Sequence, residues 1–471
     1  MKMHVGTGWI EKPEVIKVIN PYDGSVVDTV PKSDLKDVET AIATAQRGSK
    51  IMAQMTGYER YRLLHRAAEL MEERAEDFAR TITLEEGKIL AEARLEAGRT
   101  AEILNLSAEE AKRLYGETIP LDGGPGVKGK FGFTVRIPCG VVLAITPFNF
   151  PLHLVCHKVG PALAAGNSVI VKPATDTPLS ALKLVELLLE VGFPEEAVQC
   201  LTGAGGEIGN ALCTDPRVRK ITFTGSRDVG EHICKSAGLK KVTMELGSNS
   251  PLIVMPDADL DKVAAITAAT GYSNAGQVCI SAQRVMVNDK IYDDFLEALR
   301  LKVAAITTGN PLEEDIKMGP MVRERDAMRV QEWVQDCVKH GGRLLVGGER
   351  QGTILVPTLV ADVKPDMRIF RDEVFGPVVG TTRFDNIHAA IEYANNTNYG
   401  LSAAIFTQNL DWAMKFVQGV ESGNIHVNWG PQWRTDLMPY GGLKESGMGK
   451  EGPRYAVEEM TETKMVVMHL D

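Results

Sequence analysis

Between residues 141 and 246 short apolar runs alternate with helical stretches, and this rhythm restricts the fold more than any other feature of the chain. The runs VVLAI, SVIVK, AVQCL, KITFT and VTMEL are mostly apolar without a break, as in strands buried on both faces. SALKLVELLLEVG, EIGNALCT and RDVGEHICKSA lie between them at helical spacing. Repeated βαβ order predicts an open, mostly parallel sheet, with ligands bound beyond the carboxyl ends of its strands.

A second α/β block runs from SPLIVMPDADLDKVAAITAA to about residue 425, with QRVMVN and VFGPVVG as strands between helices such as YDDFLEALRLKVAAI and IHAAIEYANN. Ahead of the first block, residues 59–84 set Leu63, Leu64, Ala67, Leu70, Met71, Phe78 and Ile82 at helical spacing, which predicts one surface helix lying on a core. Another helix is expected over 88–114. KFGFTVRIP alternates like an exposed antiparallel strand, and the terminal MVVMHL does the same; the latter predicts pairing with another part of the chain or with another subunit. A length of 471 residues accommodates two or three domains with cores of their own.

Composition narrows the partners. The net charge is -10 and no basic block is long, so nucleic acid is not expected. The opening MKMHVGTGWIEKPEVIKVI has no long apolar segment, and no later run approaches the roughly 18 apolar residues of a membrane span; a cytoplasmic protein is expected. Seven cysteines without a CxxC pair suggest neither a disulfide ladder nor a zinc knuckle. His153 and His157 stand at i,i+4, yet no acidic ligand accompanies them in that segment, so no metal site is expected there.

Candidate chemistry sits where strands end. Cys279, in GQVCISAQR, is either a small core hydrophobe or a nucleophile. Glu245 closes an apolar run in VTMELGSNSP; such a carboxylate is a general base if its pKa is raised, and otherwise an ordinary solvated acid. Asn149 in ITPFNFP can donate to an oxyanion or satisfy a turn. In FTGSRDVG, Gly225 and Ser226 precede a helix, suited to phosphate or to a plain strand-to-helix turn. Lys172, in VIVKPATDTP, can reach ribose or phosphate oxygens, or form a rim salt bridge.

PFNFP, KPA, FTGS, MELGS, GQVCISAQR and EVFGPV, in that order, closely resemble the aldehyde dehydrogenase superfamily, and the likeness extends over nearly the whole chain. The resemblance implies a Rossmann-type cofactor domain (1–118 and 141–247), an α/β catalytic domain (248–425) and a small bridging oligomerisation sheet. That sheet would come from 119–140 and 426–471, the latter including a late substrate loop. It further implies Cys279 as nucleophile, Glu245 as general base, Asn149 as oxyanion donor and Glu451 as a second acid in proton relay. Thr146, Pro147, Phe148, Lys172, Thr175, Gly205, Gly225, Ser226 and Leu246 would contact an NADP or NAD cofactor, with Glu373 and Phe375 at the nicotinamide ribose. The same likeness implies a homodimer or homotetramer.

Cofactor choice turns on Thr175, which stands where many NAD-preferring relatives carry Glu. A glutamate there would repel a 2′-phosphate, and threonine lifts that repulsion, which favours NADP while allowing NAD. Substrate choice turns on Arg99 in EAGRTAEIL and Arg434 in GPQWRTDLMPYGG. Both resemble arginines that clamp the distal anion of a small aldehyde; the bland roles are a helix salt bridge and a loop brace. Val278 replaces an arginine found before the nucleophile in relatives that act on phosphorylated aldehydes, which points to a carboxylate or sulfonate instead. If the arginines do not face the substrate, a neutral hydroxyaldehyde fits, since the chain also resembles the lactaldehyde dehydrogenase-like branch. His153 and Trp433 would shape either pocket. Glu245 favours hydrolysis over acyl transfer to coenzyme A, and a noncatalytic structural protein is the remaining alternative.

Overall fold

In the computed structural model, which describes residues 1–470, the apolar runs of the first block form five parallel strands. Their order is Val198–Cys200, Ser168–Lys172, Val141–Ile145, Val218–Thr224 and Lys241–Glu245. Chain order thus runs outward in one direction from Val141–Ile145, then resumes on its other side at Val218–Thr224. A crevice opens at that reversal, beyond the carboxyl ends of these two central strands. Two-residue strands extend the sheet where no periodicity could be read: Met3–His4 pairs antiparallel with Val198–Cys200, and Gly447–Met448 with Lys241–Glu245.

The second block forms a seven-stranded sheet, parallel except for the edge strand Arg343–Val346. Each large sheet packs on its own apolar core. A third, small cluster gathers Val278, Ile280, Leu401 and Tyr440, with Phe150 and Cys279 packed against it. The terminal strand Thr461–His469 pairs within the chain, antiparallel along the whole of Lys130–Pro138, which also pairs with Thr118–Ile119.

The helix expected over 59–84 is two helices, Gly57–Glu73 and Ala75–Glu86, because Arg74 leaves helical geometry at φ -107° and ψ 11°. Glu73 and Ala75, which flank it, both favour helix, so local propensity does not announce the break. The following helix is Leu90–Ala111. VFGPVVG is strand only from Val378. No helix among the described residues is long and apolar enough to cross a membrane.

Candidate active site

Cys279 is reached through a strained turn. Asn274 and Ala275 hold φ of 49° and 53°, values a non-glycine residue keeps only where its surroundings fix it. The Asn274 N–H donates to Glu92 Oε2 at 3.0 Å and its Nδ2 to Glu86 Oε1 at 2.9 Å. Gly276 lets the turn pass another loop, since a Cβ there would lie 2.1 Å from the Gly376 carbonyl oxygen. The thiol ends half-buried, its Sγ 3.4 Å from the Tyr440 hydroxyl. Burial pushes it up to about 12, with the Tyr440 contact opposing and the Glu373 and Glu245 charges reinforcing. It rests as a neutral thiol and needs a base.

Asn149 comes four residues after the buried strand Val141–Ile145. Its Nδ2 donates to the Gln277 carbonyl at 2.8 Å, two residues before the thiol, and an amide nitrogen carries a second N–H. The carbonyl of Asn149 accepts from Lys88 Nζ at 2.7 Å and from Asn274 Nδ2 at 3.2 Å. The loop that carries this amide and the loop that carries the thiol are therefore tied together directly.

Glu245 is the last residue of its strand, is buried, and has no hydrogen-bond partner on either carboxylate oxygen. Burial and the nearby Glu451 charge raise it well above the usual carboxylate range, against Arg434, Lys158 and Lys450. Glu451 is also buried, and burial disfavours its charge. It nevertheless stays well below the usual range because Lys158, His157 and Arg434 overcome that cost. Lys158 Nζ donates to it at 2.7 Å and Arg434 Nη2 at 3.2 Å. Two acids pushed in opposite directions are the arrangement of a base beside a fixed anion. Lys158 is a residue that the motifs did not reveal; it lies in the helix His153–Ala164, all of which is buried. A lone cation among apolar neighbours was the signal.

Cys279 opens into a cavity of about 250 Å³ whose lining includes Arg99, Phe150, His153, Val278, Gln432, Arg434 and Tyr440. Arg434 is 8% exposed and stacks 3.8 Å over the Tyr440 ring, and its buried Nε makes no hydrogen bond but stands 4.0 Å from Asp436 Oδ1. Arg99, 37% exposed, donates to Asp436 Oδ1 at 2.9 Å, so its ion pair is not within its own helix. That same oxygen lies 3.1 Å from His157 Nε2 and 3.4 Å from His153 Nε2. The histidine pair thus does acquire an acid, supplied from the far end of the chain, and the three ligand atoms lie within 4.8 Å of one another. Burial pushes His153 down to about 3 and His157 to about 4. Two guanidinium groups already stand beside this acid, and their charge opposes a divalent cation. Trp433 does not join the cavity lining; it is 50% exposed and packs edge-on to His426. Gln432 takes the place expected for it.

The profile of the aldehyde dehydrogenase family matches residues 9–466. The chain belongs to this family. It is 46% identical over 468 residues to a 3-sulfolactaldehyde dehydrogenase of Priestia aryabhattai, covering 99% of this chain and 98% of that one. Identity to a lactaldehyde dehydrogenase of Methanococcus vannielii is 38% over 471 residues, with 99% and 100% coverage. An NADP-dependent glyceraldehyde-3-phosphate dehydrogenase from Bacillus halodurans C-125, solved with NADP, superposes at a TM-score of 0.97 with 37% identity, covering 100% and 99%. This aldehyde dehydrogenase is accordingly an NAD(P)-dependent oxidoreductase.

The crevice at the strand reversal carries unspent donors that fit such a cofactor. Thr146 Oγ1 is buried with no partner, and Pro147 and Phe148 follow it toward Asn149. Gly225 and the exposed Ser226 lead into the helix Arg227–Ala237, and Leu246 follows the neighbouring strand. Lys172 is buried, donates to the Pro173 carbonyl at 3.0 Å and has no carboxylate partner among the described residues, which removes the rim salt bridge as its role. Burial pushes it down to about 8. Gly205 is exposed close to its side chain, and Thr175 Oγ1 donates to the Gly203 carbonyl at 3.1 Å. Glu373 accepts from the Ser248 N–H at 2.8 Å, and burial raises it to about 7. Gly247 makes room for it, since a Cβ there would lie 2.4 Å from Glu373 Oε2. Phe375, at φ 47°, meets Phe148 edge to face at 5.9 Å.

Proposed function

We propose that this enzyme oxidises a small aldehyde with a distal carboxylate or sulfonate to the free acid, through a Cys279 thioester, with NADP preferred over NAD. The observation that carries the substrate class is the pair of arginines, Arg99 and Arg434, in the lining of the cavity that holds the thiol, one of them with a buried Nε that makes no hydrogen bond. The Cys279 thiol gives up its proton to solvent water, its sulfur bonds to the aldehyde carbon as the carbonyl π bond breaks, and the oxygen that becomes negative is met by the second N–H of Asn149. A nicotinamide cofactor, when bound, would supply the hydride acceptor for oxidation of this adduct to the thioester. Glu245 then takes a proton from water, which attacks the thioester, releases the acid and restores the thiol. Lys172, Thr175 and Ser226 would hold the adenosine half of the cofactor, and Glu373 and Phe375 its nicotinamide ribose. Glu245 favours hydrolysis over coenzyme A acylation because a buried, unpaired carboxylate is the base that water activation requires.

A second reading, a neutral hydroxyaldehyde, draws on one observation: Arg99 is already paired with Asp436 and Arg434 with Glu451. Butanal and 4-oxobutanoate, which differ by the terminal carboxylate, separate the two. Arg434 also braces Tyr440 and Glu451, so its removal would slow both substrates; Arg99 is the cleaner probe. Arg99→Met should lower the ratio of kcat/KM for 4-oxobutanoate over butanal by about tenfold or more, the worth of one charge-assisted hydrogen bond. Equal losses on both aldehydes would favour the neutral reading.

Cofactor preference has its own test. Thr175→Glu should raise KM for NADP by about tenfold or more through repulsion of the 2′-phosphate, with NAD little changed. Lys172 is charged below about pH 8 and neutral above it, so kcat/KM for NADP should fall relative to NAD as pH rises through that value. Parallel pH profiles for the two cofactors would remove Lys172 from phosphate binding. A homodimer or homotetramer is supported by the strand Thr461–His469, which forms one edge of its sheet and exposes Met465, Val467 and Met468.

A further inference from the structure

Lys88 and Glu96 form an ion pair whose side chains are 1% exposed, with Nζ 2.5 Å from Glu96 Oε2. Replacing such a pair by apolar side chains is often neutral or stabilising, so fold stability alone gives no reason for it. Its contacts give another. Lys88 Nζ donates to the Asn149 carbonyl at 2.7 Å and sits 3.8 Å over the Phe150 ring. Glu96 Oε1 accepts the N–H groups of Leu152 and His153, both at 3.1 Å. One buried pair, Lys88 from the connection ahead of the helix Leu90–Ala111 and Glu96 from within it, therefore grips the main chain at 149, 152 and 153. A stabilising dipole contributes to a transition state only if it is held in place before charge develops.

We infer that Lys88 and Glu96 are positioning residues for the oxyanion amide, fixing the 149–153 main chain so that Asn149 stays in register with Cys279. They act through that main chain and not on the reacting atoms. This rests on the proposal that Asn149 is the oxyanion donor.

Lys88→Met alone leaves a buried carboxylate unpaired and endangers folding, so the variant of choice is Lys88→Met/Glu96→Gln, which is neutral and keeps an acceptor for Leu152 and His153. Single-turnover reduced-cofactor formation from butanal should fall about 10- to 100-fold in it, with KM within about threefold, on the scale of losing an oxyanion donor. Added to Asn149→Ala, the same two changes should cost less than about a further threefold, because their effect passes through the missing amide. Full activity in the paired variant, or losses that multiply on the Asn149→Ala background, would overturn the inference. Full activity of Asn149→Ala itself would overturn the oxyanion reading and this inference with it. If the paired variant fails to fold by thermal unfolding, Glu96→Gln alone runs through the same cycle, with a smaller drop that must again vanish beside Asn149→Ala.

Discussion

Cys279→Ala is expected to lose aldehyde oxidation by more than about ten-thousand-fold, because without the sulfur no covalent adduct forms and hydride departure has no tetrahedral precursor. The protein should remain folded, since the exchange deletes a single half-buried atom and the site keeps its Tyr440 and Phe150 walls. The other six cysteines cannot substitute. Cys156, Cys200, Cys213 and Cys337 are buried, Cys139 and Cys234 are half-buried, and none of the six lines the cavity that contains Arg99 and Arg434. Reduced-cofactor formation and mass spectrometry of acylated protein test this together. Turnover that survives in the variant, or acylation on a different cysteine, would end the assignment of Cys279 as nucleophile.

The parts of this site that could be read from sequence are those where local pattern and position coincide. Strands buried on both faces announce themselves as unbroken apolar runs, so the parallel sheet was legible, and Asn149, Glu245 and Ser226 stand just beyond or at the ends of such runs. Arg99 and Arg434 were read as cavity residues from motif likeness, and both are in its lining. What pairs with them was not readable. Asp436 meets Arg99 and His157 across separations of 337 and 279 residues, and no periodicity encodes such a meeting. Lys88 and Glu96 fall in TLEEGKILAEARLE, where charges look like the wet face of a helix, yet these two are almost wholly enclosed. Tyr440 lies in GPQWRTDLMPYGG, where no local pattern marks it, yet its hydroxyl touches the thiol. The outer strands Met3–His4 and Gly447–Met448 are too short to show a period of two.

Glu245→Gln should separate the two halves of the reaction. Adduct formation needs Asn149 and a thiol whose proton passes to solvent water, whereas release needs a base held beside the thioester to activate water, so the variant should give a burst of about one reduced cofactor per active site and then a steady rate about a hundred- to ten-thousand-fold below wild type. The thioester should accumulate on Cys279 and be discharged by hydroxylamine. Wild-type turnover without accumulation would exclude Glu245 from hydrolysis; loss of the burst itself would show that Glu245 is required earlier, to take the proton from a thiol that burial has pushed up to about 12. The pH dependence has a definite sign. Glu245 serves as base only when ionised, and burial and the Glu451 charge raise its pKa, so deacylation in the wild type should fall as pH drops through that raised value. Glu451→Gln removes the repulsion and leaves Lys158 and Arg434 less compensated, and both changes favour the ionised form of Glu245. The acid limb of deacylation should therefore move to lower pH in Glu451→Gln, and a shift to higher pH would contradict the electrostatic coupling between the two acids.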